Sequence, residues 1–206
     1  MNREITEKAI SRMTLYHCIL TNYLSNGTDT ISSPQIASLL NIDASQVRKD
    51  ISLLNNSGKC RVGYRVKDLK AAIERTLGFT KPKNAFIIGA GNLGSALAKY
   101  DNFANYGLNV IALFDTDKNK IGTVINDKPV YHIDKFKELA QKMSVDLVIL
   151  TVPRKYAQET ADMLIKENIK YIWNFSYNVL TVPKDVWVWN ENLMGNFLQF
   201  AYKMQD

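Results

Sequence analysis

Residues 84–115 read NAFIIGAGNLGSALAKYDNFANYGLNVIALFD, and this stretch decides the fold. Ala85–Ile88 is a short apolar run with the length of a buried parallel strand. It leads directly into the G-x-G-x-x-G of Gly89, Gly91 and Gly94, and a second apolar run, 110–114, ends at Asp115. A strand, a glycine-rich turn, a helix and a second strand in this order predict a βαβ unit of a parallel sheet.

The same stretch predicts dinucleotide binding. Gly89 permits a tight turn, Gly91 lets the backbone approach a pyrophosphate, and Gly94 lets helix and strand pack closely. Asp115 follows Gly94 by about 20 residues, the spacing of the acid that binds an adenosine ribose. The alternative is a glycine-rich turn in some other α/β domain, but that alternative does not explain the acid. We expect the intervening helix to place Leu93, Ala96, Leu97 and Tyr100 on one face and to close near Gly107.

The rest of the C-terminal part alternates between helical and strand patterns, with a small hairpin expected around Asn126-Asp127. This alternation predicts a right-handed, doubly wound sheet. Helices are predicted at 136–143 and 156–168, and strands at 145–152, 170–175 and 186–189.

The N-terminal part predicts a helix-turn-helix. After a helix over 6–25, a serine and Pro34 at the first helical position begin a short helix, and Asp43 with Gln46 forms a capping-box pattern. The next helix, 44–54, places Val47, Ile51 and Leu54 on one side. Ser45, Arg48, Lys49 and Ser52 lie together on the other side. Such a face suits a DNA recognition helix, although most charged faces are simply solvated.

A wing is predicted to follow. Residues 58–66 read as a β-hairpin with Lys59 and Arg61 near its tip, placed to touch DNA. Asp68 is expected to cap a last helix that stops at Gly78. A domain boundary is expected at Lys81-Pro82-Lys83. It gives a DNA-binding domain over 1–80, a nucleotide-binding domain over 81–190 and a dimerisation helix over 191–206.

The composition limits the kinds of partner that the chain is expected to bind. The 206 residues carry a net charge of +6, and residues 45–70 contain seven Lys/Arg against two Asp, which favours a polyanion partner for the N-terminal part. No apolar run is long enough to span a membrane, and the charged start lacks a signal core, so a cytosolic location is expected. Two Cys and two His give no zinc spacing, and no metal is expected.

The tail predicts a homodimer. Residues 191–204 are apolar around most of a helix surface, which is more than one sheet face can bury. A second subunit would cover the remainder, and a dimer also suits a palindromic DNA site.

With these residues placed, the chain resembles the Rex family of bacterial redox-sensing repressors. The resemblance covers nearly the whole chain and is carried by ISRMTLY, ISSPQIASLLNIDASQVRKDIS, GK-x-x-VGY-x-V, IGAGNLGSALAKYDNF, ALFDTDKNKIG, LTVP and IWNFSYNVLTVPKDV. It implies a winged-helix/Rossmann homodimer with an exchanged C-terminal helix. Such proteins bind a palindromic double-stranded DNA operator when NAD⁺ prevails and release it when NADH rises.

The resemblance also implies roles for particular residues. It assigns NAD(H) binding to Gly89, Ala90, Gly91, Asn92, Leu93, Gly94, Asp115, Thr116, Lys120, Ile121, Thr151, Val152 and Pro153. Tyr100, on the first Rossmann helix, would lie near the nicotinamide, and Asn174 and Phe175 would close that pocket. Ser45, Gln46, Arg48, Lys49 and Ser52 would meet the major groove, with Lys59 and Arg61 in the wing.

Some positions depart from the family pattern. The family has an arginine at Cys18 and an aspartate at Asn192, an ion pair that helps communicate nucleotide state. The wing has Cys60-Arg61 where Arg-Gly is common. One alternative is therefore an NAD(H)-binding dimer with altered or lost switching. We expect Cys18 to be buried rather than to sense oxidants. A second alternative, an NAD-dependent dehydrogenase, lacks an evident proton donor, because only His17 and His132 exist.

Overall fold

A computed structural model describes residues 5–54 and 63–205, and the chain divides into two compact units, Met1–Lys81 and Pro82–Asp206. Each unit has a hydrophobic core of its own. The predicted wing residues Lys59, Cys60 and Arg61 lie outside the described residues.

In its described residues, 5–54 and 63–81, the first unit has four helices and a two-stranded antiparallel sheet. Its elements are α1 (Glu7–Ser25), β1 (Thr30–Ile31), α2 (Ser33–Leu40), α3 (Ala44–Ser52), β2 (Tyr64–Arg65) and α4 (Val66–Leu77). Thr6 caps α1, and Ser32 and Gln35 form a reciprocal capping box at the start of α2. The core includes Met13, Tyr16 and Leu20 of α1, Val47 and Ile51 of α3, and Leu69 and Ile73 of α4.

Three local predictions in this unit are wrong. Pro34 is the second helical residue of α2, because Ser32 is the cap. Asp68 does not cap α4, because the helix begins at Val66, whose N–H donates to the Asp29 carbonyl beside the β1–β2 pair. Cys18 is exposed on α1 and not buried.

The second unit contains a seven-stranded sheet in the order β5-β6-β4-β3-β7-β8-β9, parallel except for β5. Its strands are β3 (Lys83–Ile88), β4 (Leu108–Asp115), β5 (Val124–Ile125), β6 (Lys128–His132), β7 (Leu147–Leu150), β8 (Tyr171–Asn174) and β9 (Trp187–Asn190). Its helices are α5 (Asn92–Ala98), α6 (Asn102–Asn105), α7 (Phe136–Met143), α8 (Ala157–Lys166) and α9 (Leu193–Lys203). Asn126 and Asp127 both have positive φ and form the tight turn between β5 and β6. The predicted doubly wound sheet is confirmed.

Two apolar layers cover the sheet because successive side chains of β3 point to opposite faces. Phe86 and Ile88 pack with Phe136 of α7 and Leu164 of α8. Ala85 and Ile87 pack on the other face, where α5 and α6 contribute Leu97, Ala98 and Phe103. The order in which the strands are added reverses between β3 and β7, and this is the position where doubly wound sheets bind ligands.

The helix predicted after β3, with Leu93, Ala96, Leu97 and Tyr100 on one face and an end near Gly107, is shorter than predicted, and of those four residues only Leu97 packs on the core. The helix ends at Ala98, and Tyr100 follows it in a turn with 53% of its surface exposed. Leu93 and Ala96 are also exposed, whereas Gly94 and Ala98 are buried. The buried side of this helix thus includes Gly94, which lies close to the Gly89 carbonyl directly after β3.

Helix α9 lies at the end of the chain with none of its residues buried. Its exposed apolar side chains are Leu193, Met194, Phe197, Leu198, Phe200 and Tyr202. Exposed apolar side chains in this number mark an association surface.

Candidate nucleotide and DNA sites

The turn from β3 into α5 is shaped by three glycines. Gly89 has a φ of 103° and its N–H donates to the Phe114 carbonyl at 2.7 Å, so the turn is tied to β4. A Cβ on Gly94 would lie 1.9 Å from the Gly89 carbonyl oxygen, which excludes every side chain at that position. A Cβ on Gly91 would meet nothing within 4 Å, so this glycine keeps an open approach to the backbone.

Asp115 connects the end of β4 to this turn. Its Oδ2 accepts from the Ala90 N–H at 2.8 Å and from Lys120 Nζ at 3.1 Å. Its Oδ1 accepts from the Thr116 N–H at 2.8 Å and the Asp117 N–H at 2.9 Å. Burial opposes ionisation, but the Asp117 N–H, the Lys120 ammonium and the Ala90 N–H outweigh it and lower the pKa of Asp115. Asp115 is therefore a carboxylate at neutral pH.

Thr151, at the end of β7, supports the turn from the other side. Its Oγ1 donates to the Gly89 carbonyl at 2.8 Å, and its own N–H donates to the Ile88 carbonyl at 2.9 Å. The ends of β3 and β7 are thus fixed together at the point where the strand order reverses.

A cavity of about 810 Å³ opens at this edge. Eight predicted cofactor residues line it: Gly89, Gly91, Asp115, Thr116, Lys120, Thr151, Val152 and Pro153. Ala90, Asn92, Leu93, Gly94 and Ile121 do not line it, although Ala90 holds Asp115 and Gly94 sets the turn. The volume and the position suit a dinucleotide.

Sequence reasoning missed several lining residues, namely Ile133, Tyr156, Glu159, Thr160 and Met163. Most of them lie in the 3-10 turn at Arg154–Tyr156 and in the first turns of α8, directly after β7. The rule that ligands bind beyond the carboxyl ends of parallel strands would have indicated this segment.

Three predicted nicotinamide residues lie elsewhere. Tyr100 stacks edge-on against Phe103 at 5.0 Å and is not part of the cavity lining. Asn174 is buried, and its side chain bonds to the following loop and to β9. Its Nδ2 donates to the Asn178 carbonyl at 2.7 Å and to Asn190 Oδ1 at 2.8 Å, and its Oδ1 accepts from Ser176 Oγ at 2.6 Å. Phe175 packs on Trp173 at 5.1 Å. Asn174 lines a second cavity of about 490 Å³ that also contains Arg154 and Tyr177.

The outward face of α3 carries Ser45, Arg48, Lys49 and Ser52, all exposed as predicted. Asp43 caps this helix by accepting from the Ser45 N–H at 2.6 Å. Two cations and two small hydroxyl side chains on one exposed helix face can bind phosphates and base edges.

Behind this face lies a buried ionic network that the sequence did not predict. Asp50, only 1% exposed, accepts from Arg12 Nε at 2.6 Å and Nη2 at 2.8 Å. Tyr16 Oη donates to Asp50 at 2.8 Å, and Gln46 Nε2 donates at 2.8 Å. The predicted capping box at Gln46 is therefore wrong, because the Gln46 side chain turns to Asp50 and not to the backbone of Asp43. The i, i+4 spacing of Gln46 and Asp50 was a usable signal.

This network fixes the charge of its members. Burial opposes ionisation of Asp50, but hydrogen bonds from Arg12, Tyr16 and Gln46 outweigh it and lower its pKa. Burial and the neighbouring carboxylate raise the pKa of Tyr16. The carboxylate ties α3 to α1 through a bidentate pair.

Metal and membrane features are absent from the described parts of the chain. Residues 5–54 and 63–205 contain no cluster of three His, Cys, Asp or Glu side chains that could hold a metal ion. Over the same residues, no helix has both the length and the apolar character needed to cross a bilayer.

Two family models match the chain, one for each unit. Residues 4–52 match a family described as "Putative DNA-binding protein N-terminus", and residues 80–178 match a family described as "CoA binding domain".

Whole-length relatives are also similar. The chain is 40% identical over 196 residues to the redox-sensing transcriptional repressor Rex of Treponema denticola, with 95% of this chain and 93% of that protein covered. A crystal structure of RSP in complex with β-NAD⁺ and operator DNA matches with a TM-score of 0.90 and 34% identity, covering 98% of this chain and 93% of that one. RSP in complex with β-NADH matches with a TM-score of 0.86 and 35% identity, covering 98% and 95%.

Proposed function

Because this chain belongs to the Rex family of redox-sensing transcriptional repressors, we propose that it binds a palindromic DNA operator when NAD⁺ prevails and releases it when NADH binds. One observation carries the proposal. A single chain combines a recognition helix with an exposed cationic face and a glycine-turn cavity closed by a carboxylate.

Within the cavity, Gly89, Gly91 and Gly94 would hold the pyrophosphate, and Asp115 would hold the adenosine ribose. Ala90, Asn92 and Leu93 belong to the same turn, and Thr116, Lys120 and Ile121 would border the adenine side. Thr151, Val152 and Pro153 form the opposite wall. Since Asp115 is ionised, it would repel a 2′-phosphate, so we propose NAD(H) and not NADP(H).

Tyr100, Asn174 and Phe175 are proposed for the nicotinamide end. NAD⁺ and NADH differ by one charge on the ring, and an apolar pocket favours the neutral reduced form. A ligand shifts a conformational equilibrium only by its differential affinity for the two states. If NADH favours a state in which the two recognition helices of a dimer no longer match two half-sites, the operator is released.

The DNA contacts would come from residues 1–80: Ser45, Gln46, Arg48, Lys49 and Ser52 of α3, with Lys59 and Arg61 beyond it. Residues 81–190 would bind the nucleotide, and residues 191–206 would form the dimer. The unburied apolar surface of α9 supports this last assignment, because water does not stabilise such a helix. A cytosolic location, with access to DNA and NADH, completes the proposal.

The test is fluorescence anisotropy of a labelled operator selected by this protein from random double-stranded DNA, with NAD⁺ or NADH added at matched occupancy. Release by NADH and retention with NAD⁺ are expected. Equal release by both nucleotides would contradict redox sensing.

A second candidate function is a member of the same family with altered switching. It is favoured by Cys18 and Asn192, which carry no charge at the positions of the family ion pair. Asn192 is instead the N-cap residue of α9, since its Oδ1 accepts from the Gly195 N–H at 2.8 Å. Operator binding that ignores both nucleotides in the anisotropy test would support this candidate.

A further inference from the structure

The Asp50 carboxylate has its hydrogen-bonding capacity filled. Arg12 Nε and Tyr16 Oη donate to its Oδ2, and Arg12 Nη2 and Gln46 Nε2 donate to its Oδ1. Two carboxylate oxygens offer about four lone-pair sites, and four donors occupy them.

This arrangement fixes the orientation of the Gln46 carboxamide by chemistry. An ionised carboxylate only accepts, so the atom 2.8 Å from Asp50 Oδ1 must be the Gln46 nitrogen. A rotated amide would bring two acceptor oxygens together and leave a buried lone pair unsatisfied. The carbonyl Oε1 and the second N–H of Gln46 remain for another partner.

The position of Gln46 in α3 makes DNA the expected partner for these two groups. It is half-buried in the first turn of α3, between the buried face of Val47 and Asp50 and the exposed face of Ser45 and Lys49. The first turn of a recognition helix is the part that reaches base edges in the major groove.

We infer that Gln46 reads one adenine in each operator half-site, with Asp50 as the positioning residue that sets the donor–acceptor order of its amide. The inference rests on the proposed operator binding. Adenine offers an N6 amino donor and an N7 acceptor, the complement of a carboxamide with its C=O and one N–H outward. Guanine and thymine place an acceptor, O6 or O4, opposite Gln46 Oε1, so they are rejected. A reversed amide would lose its match to adenine and could donate to guanine O6, which would narrow the difference between the two bases.

The test uses the selected operator and replaces each adenine in turn by purine, which lacks the N6 amino group, or by 7-deazaadenine, which lacks N7. At one adenine position, present once in each half-site, we expect both analogues to weaken binding of the operator by the wild type roughly 5- to 150-fold. In Gln46→Met, which keeps the length of the side chain but not its polar atoms, the effect disappears at that position and stays unchanged at all others. Equal losses in wild type and Gln46→Met at every adenine would overturn the inference.

Asp50→Asn tests the positioning role of Asp50. The binding of this variant to DNA is measured below the melting temperature of the variant. The asparagine amide can face Gln46 with either atom, so the Gln46 amide can reverse. The preference for adenine over guanine should then shrink at that one position. A uniform loss across all positions would show that Asp50 only supports the fold, and would overturn its positioning role. If random selection yields no operator at all, sequence-specific binding itself fails and the inference with it.

Discussion

A Cβ on Gly94 would lie 1.9 Å from the carbonyl oxygen of Gly89, so the first turn of α5 and the end of β3 touch through backbone alone. Gly94 is one of the two buried residues of α5, and Gly89 in the facing turn has a φ of 103°. The dinucleotide turn is therefore set by one steric relationship within the G-x-G-x-x-G.

Gly94→Ala should abolish NADH binding and lower the melting temperature, because the methyl group displaces α5 from the sheet. Gly91→Ala is the matched control for folding. Its φ of −76° suits alanine and the added Cβ meets nothing within 4 Å, so the fold should survive while nucleotide affinity falls. Thermal melting and NADH titration separate the two effects. Normal NADH binding by Gly94→Ala would contradict the close-packing argument.

Asp115→Asn should weaken NADH binding by roughly 10- to 100-fold, because a hydrogen bond to a charged group contributes about 1.5–3 kcal/mol. It should weaken NADPH binding less, since the repulsion of a 2′-phosphate is also removed. Asp117→Asn is the control, because Asp117 lies 3.7 Å from Lys120 without contacting the glycine turn. Isothermal titration of both cofactors measures the ratio, and an unchanged NADH/NADPH ratio would exclude Asp115 from the ribose site.

Arg12→Met should destabilise the N-terminal unit by about 3–5 kcal/mol, because it leaves the Asp50 carboxylate buried without its cation. Arg12→Met combined with Asp50→Leu should recover much of that loss, since no charge is then stranded. Circular dichroism melting of the two variants makes the comparison. If the double variant is no more stable than the single one, Asp50 does not need its counter-ion.

Acid should destabilise the protein through Asp50 and Asp115. Their folded-state pKa values are lowered, so their stabilisation is complete above the unfolded value of about 4 and is lost as the pH falls through the folded value. Acid unfolding followed by circular dichroism should therefore begin below about pH 4. Asp50→Asn should flatten the pH dependence in that range, and an unaltered acid transition in this variant would assign it to other groups.

Phe197→Glu should convert the protein from dimer to monomer at micromolar concentration, because it places a charge within the apolar surface of α9. Gln199→Glu, an exposed polar position on the same helix, should leave the dimer intact. Light scattering after size-exclusion chromatography reports the mass of each. A monomeric wild type would remove α9 from dimerisation.

Much of the fold could be predicted from local patterns. Apolar runs ending in glycine or acid located β3 and β4, and the Asn126-Asp127 turn required positive φ values that few other residue pairs adopt. The turn, Asp115 and the strand end at Thr151 could be assigned to one site, because the carboxyl ends of parallel strands meet at one edge.

The errors have a common physical origin in contacts between distant residues. Apolar spacing placed Leu93, Ala96, Leu97 and Tyr100 on one helix face, but α5 ends at Ala98 and buries Gly94 and Ala98, with Gly94 close against the Gly89 carbonyl. The Arg12–Asp50 pair was not predicted, because the two residues are 38 positions apart in the sequence. The N-cap residue of α4 is Arg65 and not Asp68, since β2 pairs with β1 and ends directly before the helix.

The three tryptophans of the chain, Trp173, Trp187 and Trp189, all lie on β8 and β9, the last two strands before α9. Trp173 donates from Nε1 to the Glu191 carboxylate at 3.0 Å, at the approach to that helix, whereas Trp187 and Trp189 are exposed. Intrinsic fluorescence excited at the indole band is therefore an optical reporter confined to one end of the sheet. Its emission reports on structural changes near α9 without an added dye. It does not report directly on melting of the N-terminal unit, which contains no tryptophan.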